Sequence, residues 1–259
     1  MSKSKKLVCL RFIPALCLTL AAAGVSHAAH PLITDDTGTQ GRGKFQIELN
    51  SEFSHEDENG AKADTLAFAS VISYGVVETV DAVLGIPYQR IRLEEAGRKD
   101  TEDGLSDISL ELKWRFYEKD GLSFGLKPGV TFPTGDDERG LGAGKPTYSA
   151  FFITSVETDP WEFHANLGYI RNENKVDERE NLWHASLAAE YEPVERLELV
   201  ANIGIERNSD RNVNTHPAFL IGGVIYEVSE NLDVDVGAKV GLNEPETDYA
   251  LLAGLAWRF

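Results

Sequence analysis

Sulfur, positive charge and long apolar runs are all scarce in this chain. Both cysteines, Cys9 and Cys17, and the one methionine fall within the first 28 of 259 residues, so the rest can form no disulfide and no thiolate metal site. Lys and Arg number 25 against 42 Asp and Glu, for a net charge of −17, which argues against nucleic acid as a partner because such binding neutralises phosphates with basic side chains. Beyond Val25 no segment approaches the length of a membrane-spanning helix. No Ser/Pro-rich linker divides the chain, which reads as one domain.

The opening is organised differently. Lys3, Lys5, Lys6 and Arg11 precede an apolar stretch from Phe12 to Val25, followed by Ser26-His27-Ala28. This is the pattern of a cleaved export signal over residues 1–28. Interrupted by Pro14, the stretch falls short of the ~20 apolar residues a spanning helix needs. Removing it takes away four basic and no acidic residues, making the remainder more acidic still. Residues 29–43 then read as a periplasmic arm, and 44–259 as the folded body.

From Lys44 onward apolar and polar residues alternate in pieces about ten residues long, the length a tilted strand needs to cross a bilayer. Twelve such strands are expected, at 44–54, 64–75, 79–92, 106–117, 122–133, 146–157, 161–171, 182–192, 197–207, 217–227, 232–242 and 249–259. Short turns alternate with longer polar loops at 55–63, 93–105, 134–145, 172–181, 208–216 and 243–248. Only a closed barrel satisfies backbone N–H and C=O groups in lipid without helices. The predicted fold is therefore all-β, a single twelve-stranded antiparallel transmembrane β-barrel of the bacterial outer membrane. Its even strand count puts both termini in the periplasm.

The strand at 106–117 sets the register. One face carries Ile108, Leu110, Leu112, Trp114 and Phe116, and the other Asp107, Ser109, Glu111, Lys113 and Arg115. A charge facing lipid at the midplane costs roughly 2 to 4 kcal/mol, so a one-residue slip is costly and the charged face must line the lumen. Aromatics support this, because the eight tyrosines and four tryptophans all sit near predicted strand ends, as interfacial girdles require. Three features fit less well. Pro87 and Pro128 fall inside strands, where bulges are expected, and 217–227 is apolar on both faces, leaving its register open.

The segment His30-Pro-Leu-Ile-Thr-Asp-Asp-Thr-Gly-Thr-Gln-Gly-Arg-Gly-Lys-Phe-Gln-Ile-Glu48, the run Gly104 to Arg115, and Phe132-Pro-Thr-Gly-Asp136 with Gly140-Leu-Gly-Ala-Gly144 together resemble an outer-membrane family named for a meta-pathway of phenol degradation and described as transporters. Ser106 stands where the family is expected to have glycine. The resemblance implies an outer-membrane barrel linked to the uptake of aromatic compounds, with no mechanism attached.

The expected lumen or substrate path is lined by Asp107, Glu111, Lys113, Arg115, Lys127, Glu190, Asp233, Asp235 and Lys239, with Gly125, Gly129, Gly168, Gly204 and Gly237 leaving room for water. A narrow charged channel and a lumen closed by salt bridges both fit this composition. Thr34, Asp35 and Asp36 are a candidate gate at the periplasmic mouth; a solvated lead-in is the alternative. Two adjacent carboxylates do not make a metal site, and no cofactor is expected.

Three functions are weighed: a passive channel for small solutes, aromatic ones by the family's label; a structural or adhesive barrel; and a lipid-hydrolysing enzyme. Against the enzyme, pairing Tyr169 with Trp183 separates His164 and His184 by four residues, on the order of 13 Å, with no serine expected within hydrogen-bond reach of a base. The charge-mixed loops suit lipopolysaccharide phosphates bridged by divalent ions. The aromatic end at Trp257 and Phe259 looks like the signal read by barrel-assembly machinery.

Overall fold

The computed structural model describes residues 30–58 and 60–259. The export signal expected at 1–28 lies outside the described residues. Thirteen strands follow in order: β1 (Phe45–Glu58), β2 (Ala61–Val77), β3 (Val80–Glu95), β4 (Arg98–Leu105), β5 (Ile108–Lys119), β6 (Leu122–Phe132), β7 (Thr147–Thr158), β8 (Trp161–Arg171), β9 (Asn181–Val194), β10 (Leu197–Glu206), β11 (Ala218–Ser229), β12 (Leu232–Gly241) and β13 (Tyr249–Arg258). One 3₁₀ turn, Asp137–Arg139, interrupts the loop after β6. Every neighbouring pair is antiparallel, and β1 pairs with both β2 and β13, so the sheet closes.

The barrel has twelve staves because β4 and β5 are two halves of one. The upper part of β3 pairs with β4 and the lower part with β5. The break falls at Ser106–Asp107, opposite Pro87, whose carbonyl accepts the Ser106 N–H at 2.9 Å. Pro87 thus sits where the ladder changes partner, and the register steps there by one residue, with Ser106, Asp107 and Ile108 opposite Ile86 and Pro87, the local irregularity expected of a bulge. Pro128 differs from expectation: across it β5 and β6 keep one register, Glu111 to Gly129 and Trp114 to Leu126, with their pairing lapsing between those points, and the register shifts only further along, between Arg115 and Tyr117.

Two expected loops prove to be ladder. Residues 55–63 and 93–105 extend the β1–β2 and β3–β4 hairpins, the second turning at Ala96 and Gly97. Both turn residues have positive φ (49° and 78°), the two-residue geometry that matches strand twist. Alternating hydrophobicity could not reveal β4, since Arg-Lys-Asp-Thr-Glu-Asp has no apolar face to alternate.

The inside-out pattern follows the sequence. On β5 Ser109, Glu111 and Lys113 are buried while Leu110, Leu112, Trp114 and Phe116 are exposed on the outer wall. Ten of the twelve girdle aromatics are exposed, and the other two, Trp183 and Tyr191, are half-buried. A continuous apolar outer surface of this kind is lipid-facing. The closing seam is double-bonded at its base: Phe45 N–H donates to the Phe259 carbonyl at 2.8 Å and Phe259 N–H to the Phe45 carbonyl at 2.9 Å. The two rings stack with centroids 5.8 Å apart.

Candidate functional site

Residues 30–40 run inside the barrel from the end at which β1 begins and β13 stops. At Gly41 and Gly43, with φ of 81° and 78°, the chain turns from lumen to wall, and these left-handed conformations favour glycine. A Cβ on Gly75 would strike the Gly41 backbone, so the turn is seated directly on β2.

Above that turn the arm is held by side chains. The Gln40 N–H donates to Asp81 at 2.9 Å, and the Thr39 hydroxyl to the Glu78 carbonyl at 2.8 Å. The Thr37 N–H donates to Ser155 Oγ at 3.0 Å, and its hydroxyl meets that of Ser123. Asn202 accepts the N–H groups of Ile33 and Thr34 at 2.7 and 3.1 Å and donates to the Thr34 hydroxyl at 2.6 Å. His30 meets the Asp235 carboxylate. Among the described residues, 30–40 make no backbone-to-backbone hydrogen bond to any strand.

Asp35 is the centre of this contact, with no exposed surface. One carboxylate oxygen takes Lys113 Nζ at 2.9 Å and the other Lys127 Nζ at 2.9 Å. Lys113 also pairs with Asp36 at 3.1 Å, and Lys127 with Glu111 at 3.2 Å. Asn166, oriented to satisfy both, donates to the Asp35 carbonyl at 2.8 Å and accepts its N–H at 2.6 Å. The register constant between Glu111–Gly129 and Trp114–Leu126 puts Lys113 and Lys127 directly opposite each other, where the ladder lapses. Facing like charges are destabilising. Asp35 supplies the bridge.

The other wall receives the arm through apolar contact. Leu32 packs with Ala188, Val200 and Ile225, and Ile33 against Phe219, Ile221 and Leu252. This resolves the two-faced strand: Phe219, Ile221 and Ile225 face inward in β11 because arm side chains cover them, while Leu220 and Tyr226 face lipid. The lumen glycines serve the same end. Pro31 fills the space beside Gly223 and Gly237, Thr37 lies against Gly125, and the Phe151 and Phe219 rings cover Gly168 and Gly204. Room expected for water is taken by protein.

The remaining predicted residues divide between the two ends. Arg115 pairs with Glu118 at 3.1 Å, Glu190 with His164 at 3.1 Å, and Asp233 with Arg258, all toward the rim where the arm enters. Asp107 and Lys239 instead anchor outer loops. Asp107 accepts the N–H groups of Gly135 and Ala143, each at 2.8 Å, folding the 133–146 loop inward so that Leu141 is buried. Lys239 holds Glu246 at 3.2 Å. The 172–180 loop joins them: Lys175 N–H donates to the Ala143 carbonyl, and the Arg179 guanidinium to the carbonyls of Asn208, Arg211 and Val213. Glu178 is buried there; burial pushes its carboxyl up to about 7, opposed by the Asn172 amide and reinforced by Asp210.

One expectation fails. Strand register does place His164 opposite Ala188 and His184 opposite Gly168. Yet His184 Nε2 lies 2.9 Å from Ser186 Oγ and Nδ1 3.4 Å from Glu206, while His164 Nδ1 lies 2.8 Å from Ser155 Oγ. Serines and bases are therefore within reach. Ser186 neighbours its histidine two residues along one face, and Ser155 pairs with His164 across β7–β8. Each hydroxyl also accepts a hydrogen bond from the arm, from Thr34 at 2.7 Å and Thr37 at 3.0 Å. The neutral partners Ser155, Asn166, Ser186 and Asn202 are absent from the predicted set. Inward parity is the signal they carry, but a neutral side chain does not stand out on a polar face as a charged one does.

The chain matches, over residues 28–259, the family described as "Putative MetA-pathway of phenol degradation". It belongs to that family. Among solved structures, the COG4313 outer membrane channel from Pseudomonas putida F1 is similar, with 14% identity and a TM-score of 0.71, covering 86% of this chain and 98% of the other. The KdgM porin in complex with disordered oligogalacturonate gives 8% identity, a TM-score of 0.56 and coverage of 83% and 99%. The NanC porin gives 10%, 0.54, and 82% and 98%. At such identities the likeness establishes the fold, that of outer-membrane barrels. No functionally curated protein matches the chain.

Proposed function

We propose that this family member is a passive outer-membrane channel for small solutes, aromatic compounds among them, gated by residues 30–40. The observation that carries the reading is an arm that fills the lumen yet is fixed to the wall by side chains alone, so that it can leave without breaking a strand ladder. When it leaves, Glu111, Lys113 and Lys127 line a polar path. The family assignment and the channel and porin folds of its structural neighbours support transport as the class. The chain would reach the outer membrane through cleavage of the leader at 1–28, settle among lipid and lipopolysaccharide, and be recognised by assembly machinery through Trp257 and Phe259. A charged tag after Phe259 would then impair insertion, and normal assembly of such a protein would remove that role.

Hydrolysis is a weaker reading, because both serine–histidine pairs use their hydroxyls to seat the arm. A closed structural barrel is favoured by the same filled lumen. Planar-bilayer recording separates it from a channel: brief openings should lengthen in Asp35→Asn. If neither protein carries current or supports liposome swelling, the channel is wrong and the closed barrel stands.

A further inference from the structure

We infer that the facing lysines Lys113 and Lys127 form a binding subsite for a solute carboxylate, and that Asp35 occupies it as a tethered stand-in until such a solute displaces the arm. This rests on the channel reading and names the class of cargo: small monocarboxylates with an apolar body.

The subsite is built from the wall. Two lysines oppose each other across β5–β6, both buried, and a single carboxylate spans them with one oxygen on each ammonium. Both ion pairs of Lys113 go to the arm, to Asp35 and Asp36, whereas Lys127 keeps Glu111 on its own wall. Glu48 also lies in the field of Lys113 but is engaged by Gln46 and Asn50, and Asp81, opposite Lys113 across β3–β5, accepts the Gln40 N–H of the arm and loses that partner when the arm leaves. Withdrawal of the arm therefore leaves the two lysines with one wall carboxylate each, Asp81 opposite Lys113 and Glu111 on Lys127, and without the carboxylate that bridges them. An incoming carboxylate restores what was lost, while a neutral molecule of the same shape does not.

The arm also shows what else the ligand carries. Two and three residues before Asp35, Ile33 and Leu32 sit in apolar recesses formed by Phe219, Ile221 and Leu252 and by Val200 and Ile225. Charge on one wall and apolar surface on the other suit an anion whose body is a ring or short chain. Since solute and arm need the same lysines, binding one opposes the other, and a solute shifts the arm only by the difference in its affinity for the two states.

The test exploits the absence of cysteine beyond Cys17. Thr37, buried between Ser123 and Ser155, is replaced by cysteine in the full-length protein, and its modification by a maleimide reports withdrawal of the arm whether or not current flows. Benzoate should accelerate labelling by roughly tenfold with saturation in the millimolar range, and benzamide at matched ionic strength should not. Adding Asp35→Asn should raise the basal rate and lower the benzoate concentration needed. Equal action of benzoate and benzamide, or no acceleration by benzoate, overturns the subsite. Silent bilayers alongside benzoate-dependent labelling would instead remove the channel and keep the subsite.

Discussion

The lumen is obstructed at both ends by different means. At the end where the arm enters, an extended segment is held by side-chain contacts, with two ion pairs to one carboxylate at their centre. At the outer end the loops bind one another's main chain, through Asp107 to two N–H groups, Arg179 to three carbonyls, and the Lys175–Ala143 backbone contact. A plug that relies on one buried charge can be released by changing that charge. A cap distributed over many main-chain groups yields gradually.

The largest effect should come from Asp35→Ala. Breaking a buried ion pair by removing one partner costs about 3–5 kcal/mol, enough to unseat the arm almost completely, with hydrogen exchange at 30–40 rising to the level of a free segment and the outer loops unchanged. Protection retained after this change would show that Thr34 and Asn202, not the ion pairs, hold the arm. Next is Asp107→Asn, which weakens two charge-assisted bonds by about 2 kcal/mol in all and should speed tryptic cleavage at Arg139 severalfold without altering arm exchange. In the double variant the two effects should add within about 0.5 kcal/mol, since the elements share no contact.

An effect of similar size is expected from pH. Glu178 binds its proton more tightly in the folded loop, about 7 against an ordinary 4.5. Folded-loop stability is therefore full below pH 4.5, falls as pH rises toward 7, and levels off above it. Protection factors in 172–180 and 208–214, exchange divided by its intrinsic rate at each pH, should fall from pH 5 to 8, and Glu178→Gln should flatten that dependence while leaving the arm untouched. The smallest change should be Gly43→Ala, at about 1 kcal/mol for a positive φ, read as a modest shift in arm protection.

The wall was legible in the sequence because lipid imposes a strict alternation. Glu111 and Lys113 against Leu110 and Leu112 admit one register. The polar β4 hairpin was not legible, since projecting into water it needs no alternation. The gate residues Thr34, Asp35 and Asp36 were recognisable as candidates, but their partners on β5, β6, β9 and β10 depend on how far the arm reaches inward. No local pattern encodes that distance. The apolar interior of β11 looked like an exception to the barrel pattern until Leu32 and Ile33 supplied its other half.

The glycine turn at Gly41 and Gly43 gives the arm a property beyond its contacts. A competitor on a short leash acts at an effective concentration on the order of millimolar, however dilute the protein is. The leash would then set the dose at which a free carboxylate competes, so that lengthening Gly41-Arg42-Gly43 by a few residues would retune sensitivity without altering the lysines.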